Sequence, residues 1–149
     1  MKPKEFHFPL TIRWLDGPRV VVRVEEKHDV EIASPPVFRG TDPTVWSPED
    51  LFVAAAASCL AVTLQGIAAR QNLPLHRLEV AGDGTVGMRS DGRFGFTRVD
   101  LRLEIETDAG EEKRALEIAH KAEEGCLVTV SLDCPVETTV DVRAATATS

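Results

Sequence analysis

One uncharged stretch constrains the fold of this chain more than any other segment. No Asp, Glu, Lys or Arg interrupts residues 51–69. The stretch is nearly as long as the ~20 residues that cross a bilayer. However, it is rich in alanine, contains Ser58, Thr63, Gln65 and Gly66, and lies between short predicted strands. These features favour a helix buried in the core of a domain over a membrane span.

The residues before this stretch carry signals for the start of a helix. Ser47 is a favourable N-cap, Pro48 suits the first helical position, and Glu49 and Asp50 complement the positive end of the helix dipole. We expect the helix to continue to about Gln71 and to end before the next proline. Because it is apolar on nearly all sides, it should be covered on most of them.

The rest of the chain alternates like strands, apart from one amphipathic helix. Residues 10–14, 20–24 and 30–32 predict three strands joined by turns, followed by a loop over 34–45. Further strands are predicted over 76–88, around 99–106, where Val99, Leu101, Leu103 and Ile105 alternate with charges, and from Pro135 onward. A helix over 111–124 has its apolar stripe at Ala115, Ile118, Ala119 and Ala122, and periodicity leaves 126–130 ambiguous. The pattern indicates an α+β fold, with a frayed tail over 144–149.

Composition narrows the classes of function. A chain of 149 residues predicts a single domain, 1–149, that can bury a core. A net charge of −7 argues against nucleic acid or an anionic membrane as the main partner. The N-terminal residues lack the apolar stretch of a secretory signal, so we expect a cytoplasmic protein. No histidine or cysteine spacing predicts a metal site, and no cofactor is expected.

Three cysteines are the candidate reactive groups. By residue type alone, Cys59 in an alanine-rich helix is more often a small packing residue than a nucleophile. Cys126 follows Gly125 at a predicted helix end, where chains are often reachable from solvent. Cys134 precedes a proline and looks incidental. An odd number of cysteines in a chain expected in the cytosol favours redox chemistry over a structural disulfide framework.

Two segments carry a resemblance to a known family. The sequence Ser-Pro-Glu-Asp-Leu-Phe at 47–52, followed by alanines and Ser58-Cys59, resembles the active-site helix of the OsmC/Ohr family of organic hydroperoxide reductases. Residues 122–126, followed by Pro-Val-Glu at 135–137, are similar to the family's second cysteine element. Leu127 and Thr129 depart from the proline and serine that the family often has there.

The resemblance implies a thiol-dependent peroxidase that takes an organic hydroperoxide and a dithiol reductant. Cys59 would be the peroxidatic cysteine and Cys126 the resolving one. Glu49 would hold an active-site arginine, with Arg19 as the first candidate and Arg39 as the alternative. Apolar residues such as Phe52 and Leu60 would admit organic peroxides more readily than hydrogen peroxide.

The resemblance also implies the OsmC-like fold, with antiparallel sheets around a central buried helix in an intertwined homodimer. Glu49 and Cys59 are ten residues apart, which is about 15 Å along a continuous α-helix. Therefore either the helix starts later, or a second subunit supplies the arginine–carboxylate pair at a dimer interface. Two other hypotheses remain open: a protein of this fold that binds small apolar ligands, and a peroxide sensor that acts through a partner.

Overall fold

The computed structural model describes residues 1–146, and the last three residues of the predicted tail lie outside them. Contacts within the chain divide it into two compact units, Met1–Leu51 and the residues from Phe52 onward. The single domain over 1–149 therefore stays a prediction, and each unit is described by itself.

The first unit contains a small antiparallel sheet in the order β1-β2-β3. Its strands are β1 (Thr11–Asp16), β2 (Arg19–Arg23) and β3 (Val30–Ala33). The turn between β1 and β2 uses Gly17 at φ +45°, a conformation that glycine adopts without strain. A 3-10 turn, Pro36–Phe38, lies in the predicted loop. The predicted N-terminal strands are confirmed, although all residues of β1 are exposed and burial along β2 does not alternate.

The long helix α1 spans Pro48–Arg70, and both of its predicted ends are confirmed within one residue. The Asp50 N–H donates to the Ser47 hydroxyl at 3.0 Å, while the Ser47 N–H donates to the Asp50 carboxylate at 2.9 Å. This reciprocal capping satisfies two backbone donors at the helix start. The helix ends where Asn72 adopts φ +53° and the Leu73 N–H donates to the Ala68 carbonyl.

The second unit contains a mixed sheet in the order β4-β5-β6. Strands β4 (Arg77–Met88) and β5 (Phe94–Thr107) form an antiparallel hairpin, whereas β6 (Val136–Ala144) pairs parallel to β5. The expected antiparallel pairing is present for β4 with β5 and in the first sheet, whereas β5 and β6 differ from it. Helix α2 (Glu112–Gly125) lies between β5 and β6 in sequence, and such a crossover allows parallel pairing.

Three elements supply the core of the second unit, and the predicted apolar positions of β5 and α2 are confirmed. On β5, alternate side chains are almost completely buried: Val99, Leu101, Leu103 and Ile105. On α2, the buried stripe consists of Ala115, Ile118, Ala119 and Ala122. On α1, one row of side chains four residues apart is buried: Ala56, Leu60, Leu64 and Ala68.

Helix α1 is fully buried only along that row; many of its other residues are half-buried, and Ala55, Val62 and Gln65 are exposed, so the expected cover on most sides is only partly present in the single chain. Val62, for example, is 66% exposed. The length and composition of α1 would also allow it to cross a bilayer. In its most apolar stretch of 18 residues, 22% is buried inside the protein.

Two glycines of β4 allow α1 to approach the sheet closely. A Cβ atom at Gly82 would lie 2.8 Å from a Val53 methyl group, and one at Gly84 would lie 2.6 Å from the other Val53 methyl. The second atom would also lie 2.7 Å from the Phe96 ring. These separations are shorter than real carbon–carbon contacts, so both positions require glycine for this packing.

Candidate functional site

The two predicted redox cysteines come together in the second unit. Cys59 is half-buried in the middle of α1 and packs against the core. Cys126 is the C-cap residue of α2 and is completely buried. The expectation that Cys126 is reachable from solvent is therefore wrong, because its side chain continues the apolar stripe of α2 into the core. The Cys126 thiol donates a hydrogen bond to the Cys59 sulfur.

The segment after Cys126 is a tight turn and not a strand, which settles the ambiguity left by the sequence. The Val130 N–H donates to the Cys126 carbonyl at 3.1 Å, and the Ser131 N–H donates to the Val128 carbonyl at 3.0 Å. The Thr129 hydroxyl also donates to the Cys126 carbonyl. This geometry directs the backbone N–H groups of Leu127 and Val128 at the Cys59 sulfur.

These donors control the acidity of Cys59. Burial by itself raises the pKa of the Cys59 thiol, because a thiolate loses hydration inside a protein. The Val128 N–H opposes burial, and so do the Cys126 thiol, the Thr63 hydroxyl and the Leu127 N–H, since each hydrogen bond favours the thiolate. Together they hold the pKa of Cys59 below its usual value. A lower pKa increases the thiolate fraction of Cys59, and the thiolate is the nucleophilic form of a cysteine.

Arg19 does not bind Glu49 in this structure. Its guanidinium forms ion pairs with Asp16, at 3.2 Å, and with Glu31 across the sheet of the first unit. The Glu49 Oε2 atom is buried, and within the described chain it has no hydrogen-bond partner. The role of Arg19 therefore stays a prediction, and the carboxylate of Glu49 is available to a cation.

Arg39, the alternative candidate, is held in an unusual conformation. It lies at φ +70° after the 3-10 turn, and its side chain is exposed. The next residue must be glycine, because a Cβ atom at Gly40 would lie 1.6 Å from the Ser34 carbonyl oxygen. Non-glycine residues at positive φ are uncommon and often occur at functional sites. Arg39 therefore remains a candidate beside Arg19.

A cavity in the first unit lies against Glu49. It has a volume of about 250 Å³ and is lined mainly by apolar residues, among them Val20, Ile32, Pro35 and Phe38. A buried carboxylate without a partner is costly in such surroundings. A guanidinium entering the cavity would remove that cost.

The apolar residues expected near Cys59 differ in their surroundings. Phe52 stacks on Phe96 with ring centroids 4.1 Å apart and an angle of 13° between the rings. Leu60 is 1% exposed and belongs to the core. It also lines a cleft of about 270 Å³ together with Thr129, Cys134 and Val136. Cys134 is thus a buried residue that lines a cleft, and its incidental role stays a prediction.

Sequence reasoning missed three groups that act on Cys59. Thr63 lies one helical turn after Cys59, so the i, i+4 spacing could have identified it. The Leu127 and Val128 N–H groups carry no side-chain signal, and only the fold of the turn directs them at the sulfur. Within residues 1–146, no group of three or more His, Cys, Asp or Glu side chains is arranged to hold a metal ion.

Comparisons with known proteins agree with this architecture. The chain is 24% identical over 137 residues to the uncharacterized protein YmaD of Bacillus subtilis, covering 89% of this chain and 91% of YmaD. Its fold is similar to that of an OsmC-like protein of unknown function from Vibrio cholerae, with a TM-score of 0.83 and 19% identity, covering 92% of this chain and all of that one.

The fold is also similar to that of proteins named for hydroperoxide resistance. An organic hydroperoxide resistance protein from Elizabethkingia anophelis matches with a TM-score of 0.76 and 19% identity, covering 97% of this chain and 100% of that one. OhrB of Bacillus subtilis matches with a TM-score of 0.63 and 23% identity, covering 93% and 98%. The sequence model of the OsmC-like protein family matches residues 40–141, which include both cysteines, and the chain therefore belongs to this family.

Proposed function

We propose that this protein is a thiol-dependent peroxidase that reduces organic hydroperoxides. The observation that carries the proposal is the hydrogen bond from Cys126 to Cys59, together with the lowered pKa of Cys59. The lowered pKa increases the thiolate fraction of one thiol, and the second thiol is its hydrogen-bond partner. Two proteins that share the fold are named for resistance to organic hydroperoxides, which supports a redox function.

In this reaction, peroxide reduction, disulfide formation and reduction of the disulfide follow one another. The Cys59 thiolate attacks the terminal peroxide oxygen, the O–O bond breaks, and the products are a Cys59 sulfenic acid and an alcohol after the alkoxide gains a proton. The Cys126 thiol then attacks the sulfenic sulfur, which forms a disulfide and releases water. A dithiol reductant reduces the disulfide by thiol exchange and becomes a disulfide itself.

In the proposed reaction an arginine stabilises the thiolate, and Glu49 orients that arginine. A guanidinium near Cys59 would stabilise the thiolate and the developing alkoxide, and a carboxylate such as Glu49 would orient it through a bidentate pair. The buried, unpartnered Oε2 atom of Glu49 supports this role. Because Arg19 pairs with Asp16 and Glu31 within the first unit, either Arg19 rearranges or Arg39 is the arginine in question.

We further infer that the protein acts as a homodimer. Helix α1 leaves apolar side chains exposed, and the outer strand β1 exposes Ile12 and Trp14, the latter by 70%. Exposed large apolar side chains often mark an interaction surface. A second copy of the chain would cover it and could bring an arginine to the site of its partner.

The decisive experiment is peroxide turnover. Wild-type protein should reduce cumene hydroperoxide faster than hydrogen peroxide, and should turn over with a dithiol much faster than with a monothiol. Cys59→Ser should abolish consumption, whereas Cys134→Ser is the matched control and should retain it. Consumption of one equivalent without turnover would assign a peroxide-sensing role, and activity in Cys59→Ser would refute the proposal.

A further inference from the structure

The two sulfurs of the site differ in how far solvent can reach them. Cys126 is completely buried at the end of α2, whereas Cys59 is half-buried on α1. The neighbours of Cys59 on the same helix surface, Ala55 at i−4 and Val62 at i+3, are exposed. The Cys59 sulfur therefore has an outer side that borders solvent, and an inner side that faces the Cys126 thiol in the core.

This asymmetry determines which sulfur an external thiol can attack once the two cysteines form a disulfide. In thiol–disulfide exchange the thiolate approaches along the line of the S–S bond, from the side opposite the sulfur that leaves. For attack on Cys59, that side is the outer one. For attack on Cys126, it lies inside the core, behind a residue with no exposed surface. The buried sulfur is closed to a reductant while α2 stays in place.

The stability of the leaving group favours the opposite order, but it does not outweigh access. A thiol with a low pKa leaves faster, and hydrogen bonds hold the pKa of Cys59 below its usual value. This effect scales the rate of an attack that already reaches the sulfur. Access to Cys126 would require the end of α2 to open, which would expose the buried side chains of Ala119 and Ala122.

Leu127 lies at the outer side of the Cys59 sulfur. Its backbone N–H donates to that sulfur, and its side chain is 74% exposed. Because the N–H group and the side chain share one Cα atom, this exposed side chain lies next to the reactive sulfur. The Ser131 hydroxyl donates to the Leu127 carbonyl at 2.7 Å, which fixes the turn. A reductant that approaches Cys59 from solvent therefore passes Leu127.

We propose that the dithiol reductant attacks the Cys59 sulfur of the disulfide and contacts Leu127 as it enters, so that Leu127 contributes to the selection of the reductant. The inference rests on the proposed function, because it concerns the disulfide formed in that reaction. Cys126 does not bond to the reductant at any step. It closes and reopens the disulfide from within the core.

The exchange has two steps. A thiolate of the reductant bonds to Cys59, the Cys59–Cys126 bond breaks, and Cys126 takes up the proton that the reductant lost. The second thiol of the reductant then loses its proton and attacks the reductant's first sulfur, which closes a disulfide in the reductant and releases the Cys59 thiolate. The reductant thus supplies both electrons that the protein gains. The N–H groups of Leu127 and Val128 and the Thr63 hydroxyl stabilise the released thiolate.

Mapping of the mixed disulfide identifies the attacked sulfur without any peroxide. Diamide, which oxidises pairs of thiols, converts the wild-type protein to the disulfide, and an excess of the monothiol mercaptoethanol then opens it. Acid quenching and maleimide labelling at low pH preserve the adduct for mass spectrometry. Mercaptoethanol should be found on Cys59 and maleimide on Cys126. The reverse pattern, no adduct on Cys59 at any mercaptoethanol concentration, or failure of diamide to form the Cys59–Cys126 bond would overturn the inference.

Charge at position 127 tests the entry route. The disulfide form is reduced either by dithiothreitol, which is neutral, or by dimercaptosuccinate, which carries carboxylates, and the free thiols are labelled over time. Leu127→Lys should raise the ratio of the dimercaptosuccinate rate constant to the dithiothreitol rate constant by about threefold, and Leu127→Glu should lower it by a similar factor. The ratio cancels any effect of either substitution on the reactivity of Cys59 itself.

Leu116→Lys and Leu116→Glu are the matched controls, because Leu116 is exposed on α2 and lies about 15 Å before Cys126 along the helix. Their ratios should equal that of the wild type. Unchanged ratios in both Leu127 variants would refute entry past Leu127.

Peroxide turnover, measured on the same wild-type protein, separates the two proposals. An adduct on Cys59 without peroxide turnover would refute the peroxidase and leave the exchange route standing. Turnover together with an adduct on Cys126 would support the peroxidase and refute the exchange route.

Discussion

The Cys126 thiol donates a hydrogen bond to the sulfur of Cys59, although the two residues lie on different helices. Helix α1 supplies the half-buried sulfur, and the end of α2 supplies the fully buried one. The contact needs no disulfide and exists between free thiols. A pair held in this way can form a bond without a large rearrangement.

Oxidation should therefore convert the contact into a disulfide. One equivalent of an organic hydroperoxide should give an intramolecular Cys59–Cys126 bond as the main product, because Cys126 is already adjacent to the sulfur that becomes sulfenic acid. Peptide mapping by mass spectrometry without reduction checks this. A main product that contains Cys134, or the absence of any disulfide, would exclude the two-cysteine mechanism.

Removal of the second thiol should separate the two roles. Cys126→Ser should consume one equivalent of peroxide and then progress to the sulfinic acid, since no neighbouring thiol captures the sulfenic acid. Intact-mass measurement should show the addition of two oxygen atoms with excess peroxide. Normal dithiol turnover in Cys126→Ser would show that another group resolves the intermediate.

The Thr63 hydroxyl should tune the reactivity of Cys59 with pH. Its hydrogen bond lowers the pKa of Cys59, so Thr63→Val should raise that pKa and move the alkylation-rate profile to higher pH. Because Thr63 is one of four donors to a half-buried sulfur, the rate below the midpoint should fall by about a few-fold. Rates with iodoacetamide across pH measure this shift.

Thr85→Val is the matched control for that experiment, because Thr85 lies on β4 and is not among the groups that lower the pKa of Cys59. Its pH profile should match that of the wild type. A profile for Thr63→Val that coincides with the wild type would remove Thr63 from the site.

The start of α1 should contribute measurably to folding stability. Ser47→Ala removes the hydroxyl that accepts the Asp50 N–H, and loss of such a cap costs about 1 kcal/mol. Urea denaturation of the variant should show a lower midpoint. Ser58→Ala, at an exposed position within the same helix, is the control and should be neutral or slightly stabilising. Equal midpoints for Ser47→Ala and the wild type would contradict the capping role.

Mixed dimers should reveal whether the arginine acts across subunits. Sedimentation should first show a dimer. A monomer at working concentration would refute the homodimer. A mixture of Cys59→Ser and Arg19→Ala subunits, each inactive alone, should regain activity because one site then has both residues intact. No recovery would indicate an arginine in the same chain.

The control for that mixture is Arg23→Ala, on the same strand and paired with Asp29, which should be active without mixing. If Arg19→Ala is itself active, Arg39 becomes the arginine to test, because its side chain is exposed and its backbone adopts a positive φ.

Sequence patterns predicted those parts of the fold that depend on local chemistry. Ser47, Pro48 and Asp50 marked the start of α1 because capping is a property of adjacent residues. The alternation from Val99 to Ile105 identified the buried face of β5 because side-chain direction follows a period of two. Both cysteines of the site were predicted, through the family resemblance.

Non-local relationships were outside the reach of those patterns. The alternation of β6 is the same for parallel and antiparallel pairing, so its direction depends on the crossover by α2. The burial of Cys126 depends on what packs against the end of α2. The Val128 N–H that faces Cys59 depends on the path of the backbone, and an exposed α1 face is visible only once its neighbours are placed.

The two glycines of β4 determine how closely α1 approaches the sheet. Val53 rests on the bare backbone at Gly82 and Gly84, and Cys59 lies further along the same rigid helix. A methyl group at either glycine would clash with Val53 and push the helix away from the sheet. This shift would carry the sulfur out of alignment with the N–H groups of Leu127 and Val128. We therefore expect Gly82→Ala and Gly84→Ala to raise the pKa of Cys59, although neither position touches the sulfur.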